Sequence, residues 1–80
     1  MKKKLRLLVI DDSVSFRGLL NMILQGHSHL SVAGLAEDGE KGMKLVLETR
    51  PDVILLDLEM PRMDGFTFLR WLMATYPTPT

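Results

Sequence analysis

The chain contains no cysteine, one tryptophan, one tyrosine and three phenylalanines among its 80 residues. It also has no apolar run approaching the ~20 residues that cross a bilayer. Without cysteine there is no disulfide framework, thiol nucleophile or thiolate zinc site, and a small chain without such staples reads as intracellular, with the cytoplasm the expected compartment. Charge of one sign is lacking too, because ten Lys plus Arg offset ten Asp plus Glu. That balance removes the electrostatic footprint of a nucleic-acid or anionic-membrane binder. Basic residues cluster only at Lys2, Lys3, Lys4 and Arg6. This reads as a solvated start and not a signal peptide, since the apolar stretch behind it is interrupted by Arg6 and stopped at Asp11.

What is present is 46% hydrophobic and 25% charged residues, the composition of one small soluble domain with one core. At this length folding buries only about 60 to 65% of the unfolded surface, so stability is expected to be marginal and a partner to add to it. Leu5, Leu7, Leu8, Val9 and Ile10 form a short branched run that predicts a strand buried on both faces. Val14, Phe16, Leu19, Leu20, Ile23 and Leu24 then recur at helical spacing up to a stop at Gly26, with Gly18 marking a point of close packing. A second strand is expected over 30–36, weakened by Gly34, followed by a short helix carrying Met43, Val46 and Leu47 that Pro51 ends. The third strand, over 53–58, runs into the turn Met60-Pro61-Arg62-Met63-Asp64-Gly65. The helix after it is expected to bury Phe66, Leu69, Leu72 and Met73, with Trp71 near its edge, until Pro77 and Pro79 forbid continuation.

Three strand–helix alternations predict an α/β fold with a parallel sheet. Right-handed crossovers then bring every strand's carboxyl end to one edge, so Asp11, Asp12 and Asp57 meet there if strands one and three are neighbours. Three carboxylates so close disfavour one another's ionisation unless a cation lies among them. Mg²⁺ suits an all-oxygen site of this kind, completed by a backbone carbonyl near Glu59. With Asp57 as nucleophile, an acyl phosphate can form on it. Each acid also has an ordinary role available: Asp12 or Ser13 as the cap of the first helix, and Asp57 as a turn residue after a strand. His27 and His29 are read as solvent-exposed, and the methionines as core filler, with Met60 and Met63 beside Asp57 available to shape a partner surface. Gly39 and Gly42 make no dinucleotide fingerprint, because the turn after strand one carries acids where that motif needs glycines.

Through Leu-Leu-Val-Ile-Asp-Asp-Ser, Pro-Asp-Val-Ile-Leu-Leu-Asp and Met-Pro-Arg-Met-Asp-Gly, the chain resembles the receiver domain of two-component response regulators. Within that family, Asp-Leu-Glu-Met-Pro-Arg-Met-Asp-Gly with the later Trp-Leu-Met and Tyr-Pro-Thr-Pro is similar to the regulatory domain of chemotaxis methylesterases. The resemblance covers essentially the whole chain. It implies a flavodoxin-like three-layer fold with strand order 2-1-3, Asp57 as phosphoacceptor, Asp11 and Asp12 holding Mg²⁺, the Glu59 carbonyl as a further ligand, and a sensor histidine kinase as donor. Family members have five βα units, so residues 1–80 are expected to be the N-terminal part of a single receiver domain, without the later strands that carry a switch Ser or Thr and a Lys.

Strand three, normally central, then becomes an edge that pairs with another chain, through Leu55, Leu56, Leu69 and Leu72, as a homodimer or swapped assembly. Two other functions compete with phosphoacceptance. One is a phosphorylation-independent interaction module. The other is a phosphohydrolase of haloacid-dehalogenase type, which the sequence opposes because Glu59 stands where that family has a second Asp.

Overall fold

The computed structural model describes residues 4–60 and 63–80. Expectations for Lys2, Lys3, Pro61 and Arg62 therefore lie outside the described residues. In chain order the elements are β1 (Leu5–Ile10), α1 (Val14–Gln25), β2 (Leu30–Ala36), α2 (Gly39–Thr49), β3 (Val53–Leu56) and α3 (Gly65–Thr75). The strands form one parallel sheet in the order β2-β1-β3, the flavodoxin-like arrangement expected. Leu7 to Ile10 pair in register with Val53 to Leu56, while the β1–β2 ladder slips by one residue between Leu7 and Leu8. Gly34 lies at that slip, seated under the Leu45 and Leu8 side chains.

Alternation along β1 distributes side chains to both faces of the sheet. Leu8 and Ile10 join Ile54, Val46, Phe68 and Leu72 in a core under α2 and α3, whereas Leu7 and Val9 pack with Leu24 under α1. The sheet thus lies between one helix and two, a three-layer architecture. Each helix begins at a side-chain cap: Ser13 Oγ accepts from the Phe16 N–H, Asp38 from Lys41 and Asp64 from Thr67, satisfying donors that the first turn leaves free.

Several expectations are corrected by the packing. α3 buries Phe68 and Leu72 with Gly65, while Phe66 and Met73 are exposed. The segment is apolar almost all round, so periodicity alone does not set its phase; Gly65 does, by lying against the Asp57 carbonyl and the Leu58 backbone. On α1 only Leu24 is buried, and Val14, Phe16, Leu19 and Ile23 face solvent. Gly18 marks no close packing, as a Cβ there would meet nothing within 4 Å. Gly26 does end α1 as its C-cap, as expected, in a right-handed conformation, and the left-handed C-cap is that of α2 at Arg50 (φ 47°), where Pro51 disfavours continued helix. β3 ends at Leu56, two residues early, because the Asp57 carboxylate folds onto the Glu59 N–H in an Asx turn. Its outer edge is not wholly bare, since the Ile54 N–H donates to the Pro79 carbonyl at 2.9 Å.

Candidate functional site

The carboxyl ends of β1 and β3 lie side by side because their ladder continues one step past both strands, with the Asp57 N–H donating to the Ile10 carbonyl at 2.9 Å. On its other side β1 is held by the Asp11 N–H donating to Ala36 at 3.0 Å. The backbone therefore fixes Asp11 and Asp57 next to each other at the ends of two strands paired in continuous register. One carboxylate oxygen each from Asp11, Asp12 and Asp57 lies within 4.8 Å of the others. Asp11 and Asp57 are half-buried, and Asp12 is exposed.

One oxygen of each half-buried acid is already engaged. Asp11 Oδ1 accepts from the Ser13 N–H at 2.8 Å, and Asp57 Oδ1 accepts from the Glu59 N–H at 2.9 Å. These bonds orient the carboxylates and leave each Oδ2 without a hydrogen bond from the described residues. Ser13 also caps α1. The ordinary role left open between Asp12 and Ser13 thus falls to Ser13, and the Asp12 carboxylate is spent on no cap. Glu59 is exposed, and its own N–H ties the turn to Asp57. Met60 is buried in the core, while Met63 packs on Gly39 at the start of α2. His27 and His29 are exposed.

The donor set is entirely oxygen, carries three negative charges and includes free lone pairs on adjacent strands. That chemistry fits a hard divalent cation such as Mg²⁺ and not a soft or imidazole-seeking metal. Beside the acids, Phe16 and Leu20 of α1 and Leu55 and Leu56 of β3 line an apolar cleft of about 290 Å³ that also reaches Asp11 and Asp57. Arg17 is the residue that reading the sequence missed: its Nη1 donates to the Asp11 carbonyl at 2.6 Å. The available signal was position, since a first-turn residue six after Asp11 can reach back to the strand end.

A parallel sheet in 2-1-3 order, with acids at the ends of its central strand and of β3, is the receiver architecture. The family model for the response regulator receiver domain matches residues 7–80. The chain belongs to that family. Among its relatives it is 56% identical over 78 residues to the protein-glutamate methylesterase/protein-glutamine glutaminase 6 of Anaeromyxobacter dehalogenans, and 49% identical over 78 residues to enzyme 1 of the same name from Myxococcus xanthus. Each match takes in 98% of this chain and 22% or 23% of the relative, so the chain spans about a fifth of their length. Its fold superposes on the response regulator domain of CheB from Thermotoga maritima with a TM-score of 0.91 at 37% identity, covering 95% of this chain and 57% of that one. The chemotaxis protein CheY4 of Vibrio cholerae gives 0.81 at 32% identity, covering 90% and 58%. Among the described residues no helix is long and apolar enough to cross a membrane.

Proposed function

We propose that this receiver domain takes a phosphoryl group onto Asp57 from a sensor histidine kinase in the cytoplasm, with Mg²⁺ held by Asp11, Asp12, Asp57 and the Glu59 carbonyl. The observation that carries the reading is the meeting of three carboxylates from two strand ends within 4.8 Å. Asp57 Oδ2 attacks the phosphorus of a phosphohistidine. The new O–P bond forms as the P–N bond breaks, and the imidazole leaves with the electron pair and takes a proton from solvent. When bound, Mg²⁺ neutralises charge on the phosphoryl oxygens. Asp11 and Asp12 would hold it there together with Asp57, and the Glu59 N–H steadies Asp57 Oδ1 while leaving Oδ2 without a hydrogen bond from the described residues. Resemblance to methylesterases supports a regulatory role in chemotaxis, with residues 1–80 as the N-terminal part of one receiver domain and any esterase activity belonging to a longer protein.

Intact-mass spectrometry after incubation with Mg²⁺ and a small acyl phosphate tests this. One phosphoryl group is expected on the folded chain, and none on Asp57→Asn or without Mg²⁺. Equal addition to Asp57→Asn, or no addition to a folded wild type, would sink it.

A second reading, association without phosphorylation, is favoured by Leu55, Leu58 and Met73, which are exposed on both sides of the β3 edge. They flank a cleft that also includes Ile54, Leu69 and Thr80. Leu72, expected in that contact, is fully buried in the chain's own core and takes no part. A homodimer through this edge predicts a mass by light scattering that rises with concentration, and a constant monomeric mass excludes it.

A further inference from the structure

We infer that Arg17 is a positioning residue for the carboxylate site, acting through the peptide that joins Asp11 to Asp12; the inference rests on the Mg²⁺ reading of that site. The preceding peptide is fixed at both ends, its carbonyl by the Asp57 N–H and its N–H by the Ala36 carbonyl. The Asp11 side chain is fixed by Ser13. Asp12 has none of this. It is exposed, and its carboxylate accepts no hydrogen bond from the described residues. Its placement follows the plane of the 11–12 peptide, and the carbonyl of that peptide is the one Arg17 Nη1 grips at 2.6 Å.

Because the peptide is planar, fixing its carbonyl fixes the direction in which the chain reaches Asp12. A guanidinium–carbonyl bond is charge-assisted and therefore a firm hold. Arg17 is itself half-buried and anchored, since its N–H donates to Ser13 at 3.0 Å in the capped first turn of α1. Residues that orient metal ligands through hydrogen bonds typically cost roughly 10- to 100-fold in metal affinity when they are removed.

The test is titration of the 80-residue chain with Mg²⁺ alone by calorimetry, comparing wild type, Arg17→Met, Arg17→Lys, Asp12→Asn and the doubles. Arg17→Met is expected to weaken Mg²⁺ about tenfold, with Arg17→Lys between it and wild type. In the Asp12→Asn background the same change is expected to shift affinity less than about twofold, because the residue being positioned no longer binds as a carboxylate. An equal loss in both backgrounds overturns the inference. So does unchanged or tighter binding by Arg17→Met, the direction that loss of a repelling charge alone would give. If circular dichroism shows Arg17→Met unfolded, Arg17→Lys and its double with Asp12→Asn are judged by the same criterion. A wild type that does not bind Mg²⁺ overturns this inference and the metal reading together. Coupling as expected without phosphoryl uptake upholds it while phosphoacceptance fails.

Discussion

On the face of the sheet that carries α2 and α3, the side chains of Leu8, Ile10, Ile54, Phe68 and Leu72 are fully withdrawn from solvent; among the described residues the core cluster on the opposite face buries only Leu7, Val9 and Leu24, and α1 presents Val14, Phe16, Leu19, Met22 and Ile23 outward. The same strand, β1, serves both faces with equally apolar residues. What differs is the cover, two helices against one. Hydrophobicity of a segment therefore reports its capacity to be buried, and burial itself depends on which neighbour is packed there. The open face is also the one beside the carboxylates, because Phe16 and Leu20 line the cleft that contains Asp11 and Asp57.

The sharpest way to break this comparison is to truncate one phenylalanine on each face. Phe68 is fully buried and packs on Trp71 with ring centroids 5.8 Å apart and planes tilted by 43°, so Phe68→Ala is expected to cost about 3 to 5 kcal/mol, enough to unfold a small domain. Phe16, 45% exposed, keeps about half of its surface out of water, so its truncation is expected to cost only about 1 kcal/mol. Urea denaturation of the two variants measures both. Similar losses would mean that α1 is better covered in solution than the contacts of this fold provide.

Two glycines extend the contrast from side chains to backbone. A Cβ on Gly65 would sit 2.6 Å from the Asp57 carbonyl oxygen, and because the clash is with backbone, relief requires moving the end of β3 or the start of α3. Gly65→Ala is expected to destabilise by about 1 to 3 kcal/mol and to slow phosphoryl uptake at the displaced Asp57. Gly18 on α1 is exposed, helical and surrounded by open space, so Gly18→Ala is expected to stabilise by about 0.5 to 1 kcal/mol. Thermal melts give the sign of each change, and a stabilising Gly65→Ala or a destabilising Gly18→Ala would contradict the packing described.

A parallel sheet with the acids along one edge was readable from sequence because it follows from period and handedness, whereas strand order, and with it the meeting of the acids, came from the resemblance to receiver domains. Branched runs mark the strands, alternation with helices makes them parallel, and right-handed crossovers put Asp11, Asp12 and Asp57 at one edge. The buried face of α3 was not readable, because Phe66, Phe68, Leu69, Trp71, Leu72 and Met73 offer apolar residues at nearly every angle. A tertiary approach at Gly65 selects Phe68 and Leu72 from among them. Arg17 escaped for a related reason: its role rests on a backbone carbonyl, which has no residue type to search for. The end of β3 depends similarly on the Asx turn at Asp57, a local bond that competes with the ladder.

The smallest expected effect separates the caps of the two helices nearest the site. α1 is capped by Ser13, which does not titrate, and α3 by Asp64. The N–H and hydroxyl of Thr67 bind the ionised Asp64 carboxylate, helped by the Phe66 N–H and the charge of Arg70, and hold its pKa below the ordinary 3.8. A folded-state pKa lowered in this way contributes stability that is present above the unfolded value and lost as pH falls through the folded one. Asp64→Asn keeps a capping oxygen but no charge, so wild type should melt higher than Asp64→Asn near neutral pH, with the gap closing below 3.8. Ser13→Asn, compared in the same way, should show a gap that does not change with this titration. A pH-independent gap for Asp64→Asn would mean that the start of α3, and with it the seat of Gly65 against Asp57, is held by packing and not by the charge of its cap.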